Sequence, residues 1–454
     1  MPIKTPRVTI TAPGSSSGKT LATMGIIYGL KKMGYRVQPF KIGPDFIDPS
    51  YLEGVAGSYA INLDLWIMGR SGLLNAFYEG CRRSDMCVIE GVMGYLDGAY
   101  TDTDRFFGST YRISRTLHSN VIVVIDVSKT AQTALATALG IAKFSGGRIG
   151  IILNRVAGDG HAEYVKRAIK GYKNVVLVGY IYEDLALRVE ERKLGLVPAA
   201  ERYPDYAGIG KKVSENIDIN AVMSLMSSEP VKVNSNYAVK KTITAKISVA
   251  FDDAFNFYYW DSFSALRAMG AKIEFFSPIN DVPPSDGTEG IIIGGGFPEL
   301  FAGKLEKSNR TIKFLNHASA RGTPILAECG GLMYLTSGIY DHEKFHRWVG
   351  IFNAKVNMTN KLTIGYTELE TIMDNPISLT GQKLKGHEYH YSNLVEISKD
   401  QKMAIRIIRG SGADGQRDGL LSYNSIGTYS HFHLGSNIRA ARRFLETCVR
   451  SGKR

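Results

Sequence analysis

Val8-Thr-Ile-Thr-Ala-Pro-Gly-Ser-Ser-Ser-Gly-Lys-Thr20 decides how the first half of this 454-residue chain folds. A short apolar strand runs into a loop of small residues, and a helical pattern follows through Met33. Strand, Gly-Lys-Thr and helix in that order form the working end of a phosphate-binding loop. Backbone N–H groups cradle phosphates, Lys19 reaches the terminal phosphate, and the Thr20 hydroxyl is placed to ligate Mg²⁺. Gly14, Ser17, Gly18, Lys19 and Thr20 are therefore the candidate ATP-binding set. Pro13 stands where such loops usually open with glycine, and Gly14 lies beside it.

Apolar strands alternate with helical patterns from this loop to about residue 200. Strands are expected at 36–42, 86–90, 121–126, 149–153 and 175–181, with helices including 131–144 and 162–170. Alternation of this kind predicts an α/β fold with a mostly parallel sheet covered by helices. Residues 201–243 change character, with Pro-Asp-Tyr, Gly-Lys-Lys and Ser-Ser-Glu-Pro, and read as a linker holding one short helix. A second alternating block starts at 246–250, continues through a helix at 258–269 and strands at 272–276 and 290–293, and ends in a helix with Ser436 as N-cap. The expected domains are 1–200, which carries the phosphate-binding loop, and 244–454, on either side of the 201–243 linker.

Sheets of this type bind ligands at the carboxyl ends of their strands. Three acidic segments end strands there: Phe40-Lys-Ile-Gly-Pro-Asp-Phe-Ile-Asp-Pro49, Val88-Ile-Glu-Gly-Val-Met-Gly-Tyr-Leu-Asp97 and Val123-Val-Ile-Asp126. Mg²⁺ takes one or two carboxylates together with phosphate oxygens and waters. That makes Thr20, Asp48 and Glu90 the candidate metal set, although a single Asp at a strand end more often caps a helix or faces water.

The second chemical signal is Pro324-Ile-Leu-Ala-Glu-Cys-Gly-Gly-Leu-Met-Tyr334. An apolar strand, a Cys, two glycines and a helix-compatible stretch make a nucleophile elbow, where small neighbours let a substrate carbonyl approach. A helix starting just after the sulfur would favour its thiolate. An isolated Cys is more often buried structure. The flanking glycines and the run Gly427-Thr-Tyr-Ser-His-Phe-His433 favour a nucleophile with a distant base. Cys329 would attack a carboxamide carbon, release ammonia and form a thioester that water clears. His431 is the candidate base. His433, two residues on and on the same face if the run is a strand, could equally reach the sulfur or contact substrate, with packing the favoured reading. Gly295, Gly296 and Gly330 are candidate oxyanion donors, with a plain glycine-rich turn as the competing reading of 294–296. The run Gly386-His-Glu-Tyr-His-Tyr-Ser392 lacks zinc-helix spacing.

The chain carries 55 Lys and Arg against 43 Asp and Glu, a net charge of +12. Such a balance favours anionic partners. The basic residues are scattered without an aromatic-interleaved patch, which argues against nucleic acid and for a nucleotide plus a carboxylated small molecule. No apolar run reaches the roughly 18 residues that cross a bilayer, and no signal peptide is evident, so no membrane role and a cytoplasmic location are expected. Cys81, Cys87, Cys329 and Cys448 show neither metal-ligand spacing nor a disulfide framework.

These residues resemble the cobyrinic acid a,c-diamide synthases and the related nickel-sirohydrochlorin a,c-diamide synthases. The match is carried by the 40–49 run, by Ile89-Glu-Gly-Val-Met-Gly94 with Asp97-Gly98, and by Ala327-Glu-Cys-Gly-Gly-Leu-Met-Tyr-Leu335. Leu153-Asn-Arg-Val156, Glu191-Arg-Lys-Leu-Gly-Leu196, Phe251-Asp-Asp-Ala-Phe-Asn-Phe-Tyr258, Gly294-Gly-Gly-Phe-Pro-Glu-Leu300 and the 386–392 run support it in order along the chain. The resemblance implies a phosphate-loop domain similar to dethiobiotin synthetase and a C-terminal domain similar to class I glutamine amidotransferases. It implies ATP, Mg²⁺, glutamine and a carboxylated tetrapyrrole, with Lys41, Asp45 and Asp97 positioning the macrocycle or an acyl phosphate. A homodimer is compatible with it. The family pattern lacks the acidic third member of the catalytic triad, and here the position two after His431 is His433. Lys193 stands where the family tends to have His. Two rival readings remain at this point: a phosphate-loop switch with an idle amidotransferase fold, and a free-standing glutaminase.

Overall fold

Apolar runs with no polar alternation, such as Val-Ile-Val-Val-Ile at 121–125, belong to strands covered on both faces. A computed structural model of the chain describes residues 2–99, 101, 103–184, 191–192, 195–196, 205–233, 243–341 and 344–452. It separates into two units, Met1–Tyr237 and Ala238–Arg454. In the first, seven strands pair in parallel: β1 (Arg7–Thr11), β2 (Val37–Ile42), β3 (Ile61–Leu63), β4 (Met86–Glu90), β5 (Asn120–Asp126), β6 (Ile149–Val156) and β7 (Val175–Tyr182). Their spatial order is β3-β2-β4-β1-β5-β6-β7. β1 lies centrally, so its loop opens between the ends of β4 and β5. Helices α1 (Lys19–Lys32) and α2 (Ile47–Ala56) follow β1 and β2.

The segment read as a linker departs from that expectation. Residues 205–233 carry α3 (Tyr206–Ser214) and α4 (Ile219–Leu225), started by Asp205 and Asp218, whose side chains accept from the N–H groups of Gly208 and Ala221. Val213, Val222 and Leu225 are buried; Val213 of α3 packs on α1 over Gly25, and Ile219 of α4 packs over Gly29. A few apolar residues suffice for short helices that lie on a preformed surface, which is why composition alone reads as linker. The ends of that segment, 201–204 and 234–242, and Lys193, lie outside the described residues.

The second unit holds one eleven-stranded sheet. Strands β8 (Ala245–Ala250), β9 (Ala271–Phe276), β10 (Gly290–Ile293), β11 (Ile325–Glu328), β12 (Gly338–Asp341), β13 (Lys344–Arg347), β14 (Lys355–Thr371), β15 (Lys383–Val395), β16 (Lys402–Arg409), β17 (Arg417–Ser422) and β18 (Ser425–Thr428) follow one another in the chain. The portion β9-β8-β10-β11-β18 is parallel. β17, β16 and β14 continue it antiparallel, and β15 pairs with β14 as a long hairpin. Helix α5 (Gly330–Leu335) follows β11. The last helix, Ile438–Ser451, is capped by Asn437 and not by Ser436, because Asn437 accepts from Ala440 N–H while Ser436 is bound to His433. Among the described residues no helix is long and apolar enough to cross a membrane.

Candidate active sites

Parallel register sets the first site. Glu90, the last residue of β4, lies level with Ile10 of β1 and Lys41 of β2. The turn from β1 into α1 needs left-handed backbone at Ser16 (φ 56°) and Gly18 (φ 91°), and a Cβ at Gly18 would strike the amide of Asn154. Asn154 Nδ2 donates to the Ser17 carbonyl at 2.9 Å, tying the loop to the end of β6. That residue stood in a supporting run of the sequence without an assigned role. The Ser17 hydroxyl donates to Gly14 O at 3.1 Å. Lys19 Nζ donates to Gly14 O at 3.0 Å and Met93 O at 2.8 Å, so Gly14, Ser17, Gly18 and Lys19 do meet in one loop. Burial, and then the neighbouring Lys41 ammonium, pull the Lys19 pKa down to about 8.

Around this loop the acids are bound in a chain. Thr20 Oγ1 donates to Glu90 Oε1 at 2.9 Å, and Lys41 Nζ bridges Glu90 Oε1 (2.8 Å) and Asp48 Oδ2 (2.5 Å). Glu90 Oε2 is buried with no hydrogen-bond partner. Burial, opposed in part by Lys41, pushes the Glu90 carboxyl up to about 7. Asp48 is pulled below its ordinary value because Lys41 outweighs its burial. Burial similarly holds down the Lys41 ammonium, but the charges of Asp48 and Glu90 win and hold its proton tightly. Asp45 accepts the N–H groups of Ile47 and Asp48 at the start of α2, and burial together with Asp48 pushes it up to about 7. Asp97 is exposed and accepts Gly94 N–H at 3.0 Å, shaping the loop after β4. Asp126, the third acid at a strand end, is taken by Arg155 at 2.5 Å.

At the second site the strand-to-helix turn is strained. Cys329 sits at φ 47°, ψ −103°, a conformation that non-glycine residues rarely hold outside functional turns. Its N–H donates to Thr428 O at 2.7 Å, which binds the turn to β18, and its Sγ–H to Tyr389 O at 3.5 Å. A Cβ at Gly331 would strike Ile293 O, and one at Gly330 would lie 3.2 Å from Gly296 N, so Gly330 and Gly296 lie against each other. Gly295 is packed on His431: a Cβ there would fall on the imidazole, 3.3 Å from Nε2. Burial, then Glu299, pushes the Cys329 thiol up and outweighs the Gly330 N–H that lowers it. The helix start expected to favour thiolate does not prevail, so this thiol needs a base.

His431 is fully buried and stacks on His387 at 5.0 Å. Its Nδ1 lies 3.5 Å from Glu328 Oε2. The face-sharing expected from strand periodicity fails, because β18 stops at Thr428 and residues 432–433 are irregular. His433 turns away: Nε2 meets Asp261 Oδ1 at 2.9 Å and Nδ1 accepts Ser436 N–H at 2.9 Å. Both of its ring nitrogens are thus engaged, Nε2 by the helix Trp260–Met269 and Nδ1 by the turn before the last helix.

Residues 8–197 match the model of the CobQ/CobB/MinD/ParA nucleotide binding domain, and residues 246–438 that of the CobB/CobQ-like glutamine amidotransferase domain. Full-length relatives are named cobyrinate a,c-diamide synthase. The protein of Sulfolobus acidocaldarius is 37% identical over 96% of this chain and 98% of its own. That of Thermoplasma volcanium is 37% identical over 100% and 99%, and that of Methanosarcina acetivorans 36% over 97% and 96%.

Proposed function

The chain belongs to the cobyrinate a,c-diamide synthase family, and from that premise we propose that it converts the a and c acetate carboxylates of cobyrinate to amides, with glutamine as nitrogen donor and ATP as activator. It is a glutamine-dependent carbon–nitrogen ligase with a nucleotide-binding domain. The likeness of relatives along nearly the whole of both chains carries the choice of substrate. The strained thiol turn and the phosphate loop supply the chemistry on separate units.

In this reading the carboxylate of the acceptor attacks the terminal phosphorus of ATP and ADP leaves, giving an acyl phosphate. Lys19 pairs with the transferring phosphoryl group. Cys329 sulfur attacks the glutamine carboxamide while His431 takes the thiol proton and returns it to the leaving ammonia. Gly295, Gly296 and Gly330 offer N–H groups to the oxyanion. Water then clears the thioester as glutamate. Ammonia attacks the acyl carbon, phosphate leaves, and the amide forms. Lys41, Asp45 and Asp97 position the macrocycle or the acyl phosphate.

Mg²⁺ fits this arrangement. Glu90 Oε2 is a buried oxygen lacking a partner, the Thr20 hydroxyl lies against the same carboxylate, and Asp48 is adjacent through Lys41. Mg²⁺ takes its remaining ligands from phosphate oxygens and water. When bound, Mg²⁺ neutralises developing phosphate charge.

The purified enzyme, given ATP, Mg²⁺ and glutamine, is expected to add two amides to cobyrinate, read by mass spectrometry alongside ADP release. Amidation of nickel sirohydrochlorin with cobyrinate untouched would overturn the substrate. Glutamine turnover indifferent to ATP and acceptor would make the protein a glutaminase. Cys329→Ala is expected to lose glutamine-driven amidation and keep the ammonia-driven reaction.

A further inference from the structure

Triad amidotransferases orient the catalytic imidazole with an acid, and in this chain the position two after His431 is a histidine. His433 and Asp261 form an acid–imidazole pair nearby, but Ser436 N–H occupies the ring nitrogen that a base would use. We propose that Glu328, the residue directly before the nucleophile, is the positioning acid of His431. The assignment rests on the amidotransferase reading above.

The register explains how the side chain gets there. Glu328 ends β11 level with Thr428, the last residue of β18, and the chain turns back over it at His431 and Phe432. Glu328 Oε1 accepts Phe432 N–H at 3.1 Å, which fixes the carboxylate plane, and Oε2 then lies 3.5 Å from His431 Nδ1. Such contacts are often long before substrate binds and shorten in the reacting complex. An acid facing Nδ1 keeps the proton on that nitrogen and leaves Nε2 basic. Nε2 is the nitrogen beside Gly295, in the loop offered to the oxyanion. Both groups are buried, His431 fully and Glu328 at 8% exposure, so little water screens the pair. The carboxylate stabilises the imidazolium that forms when the thiol proton transfers, which offsets the high proton affinity that burial gives Cys329. The other titratable groups facing His431 are His387, stacked on its ring, and His390 and Glu388. Glu388 is committed to the N–H groups of Ser411 and Gly412.

Glu328→Gln tests this. The amide oxygen can still accept Phe432 N–H, while its NH₂ faces Nδ1 and drives the proton to Nε2. Glutamine-dependent kcat is expected to fall about a hundredfold or more, with ammonia-driven amidation and the thermal midpoint at wild-type values. The acid limb of the glutamine pH profile moves to lower pH, because the imidazolium has lost its anion, and Glu328→Asp recovers part of the rate. Loss of less than about tenfold with an unmoved acid limb overturns the assignment. So does an equal loss of glutamine- and ammonia-driven rates, which would make Glu328 structural. Failure of the underlying reading looks different: Cys329→Ala would then leave glutamine use intact.

Discussion

Lys41 lets two carboxylates share a nearly dry pocket. Its side chain is 3% exposed, against 0% for Glu90 and 20% for Asp48. Removing one member of a buried ion pair leaves an uncompensated charge and costs about 3–5 kcal/mol. The pH dependence follows from the two acids. The Glu90 carboxyl is raised from its ordinary 4.5 to about 7, so its contribution favours folding fully below 4.5 and is lost as pH rises through 7. Asp48 is lowered below 3.8, so its contribution is present above 3.8 and is lost as pH falls through its depressed native value. Without Lys41 the depression at Asp48 disappears, and both carboxyls take protons more readily. Lys41→Met is therefore expected to be destabilised by about 3 kcal/mol near neutral pH, more at about pH 8 and less at about pH 6. Urea denaturation at the two pH values reads the difference. A deficit that grows as the pH falls would mean that Lys41 does not hold these acids through charge.

Helix α1 shows how packing overrules propensity. Alanine is better than glycine in a helix by about 1 kcal/mol, yet a Cβ at Gly25 would lie 2.5 Å from Val213 Cγ1 and 3.2 Å from Ile217 Cδ1. Val213 is stiff and 2% exposed, so it cannot swing clear. Overpacking of this kind costs about 1–3 kcal/mol. Gly25→Ala is expected to lose about 1–2 kcal/mol in chemical denaturation, and Val213→Ala in the same chain should return part of it. A neutral or stabilising Gly25→Ala would mean that 205–233 does not press on α1. The parallel strands were legible because burial on both faces writes an unbroken apolar run, as at Val121–Ile125 and Met86–Ile89, and Glu90 stood out as a charge ending one. The short helix read near 219–226 is α4, started by Asp218, whereas α3, started by Asp205, carries too few apolar residues to announce itself. The Glu328–His431 contact was hidden for a different reason. Its partners are set by two strand ends far apart in the chain, since Phe432 and Glu328 stand 104 positions apart. The strand reading of 431–433 likewise failed where the chain leaves the sheet to make that contact.

The two units divide the chemistry as well as the chain. Met1–Tyr237 contains Lys19, Thr20, Lys41, Asp48 and Glu90, and Ala238–Arg454 contains Glu328, Cys329 and His431. Each has its own buried apolar clusters, around Phe40 and Ile89 or Val123 and Leu153 in the first, and around Phe255 and Leu332 or Ile247 and Phe444 in the second. Each is also within the size range in which a single core supports independent folding. Cutting the chain after Tyr237 should therefore give two cooperative folders. Fragment 1–237 needs no thiol, because free ammonia replaces the product of Cys329, so it is expected to amidate the tetrapyrrole with ATP and an ammonium salt but not with glutamine. Fragment 238–454 needs no nucleotide to form its thioester, so a diazo-ketone analogue of glutamine is expected to alkylate Cys329, read as a mass shift confined to the peptide that contains it. Circular dichroism and a cooperative melt establish that each piece is folded before either assay. A folded 1–237 fragment without ammonia-driven amidation would mean that the acceptor site draws residues from the other unit. A folded 238–454 fragment that resists the analogue would mean that the thiol turn is activated only in the intact chain.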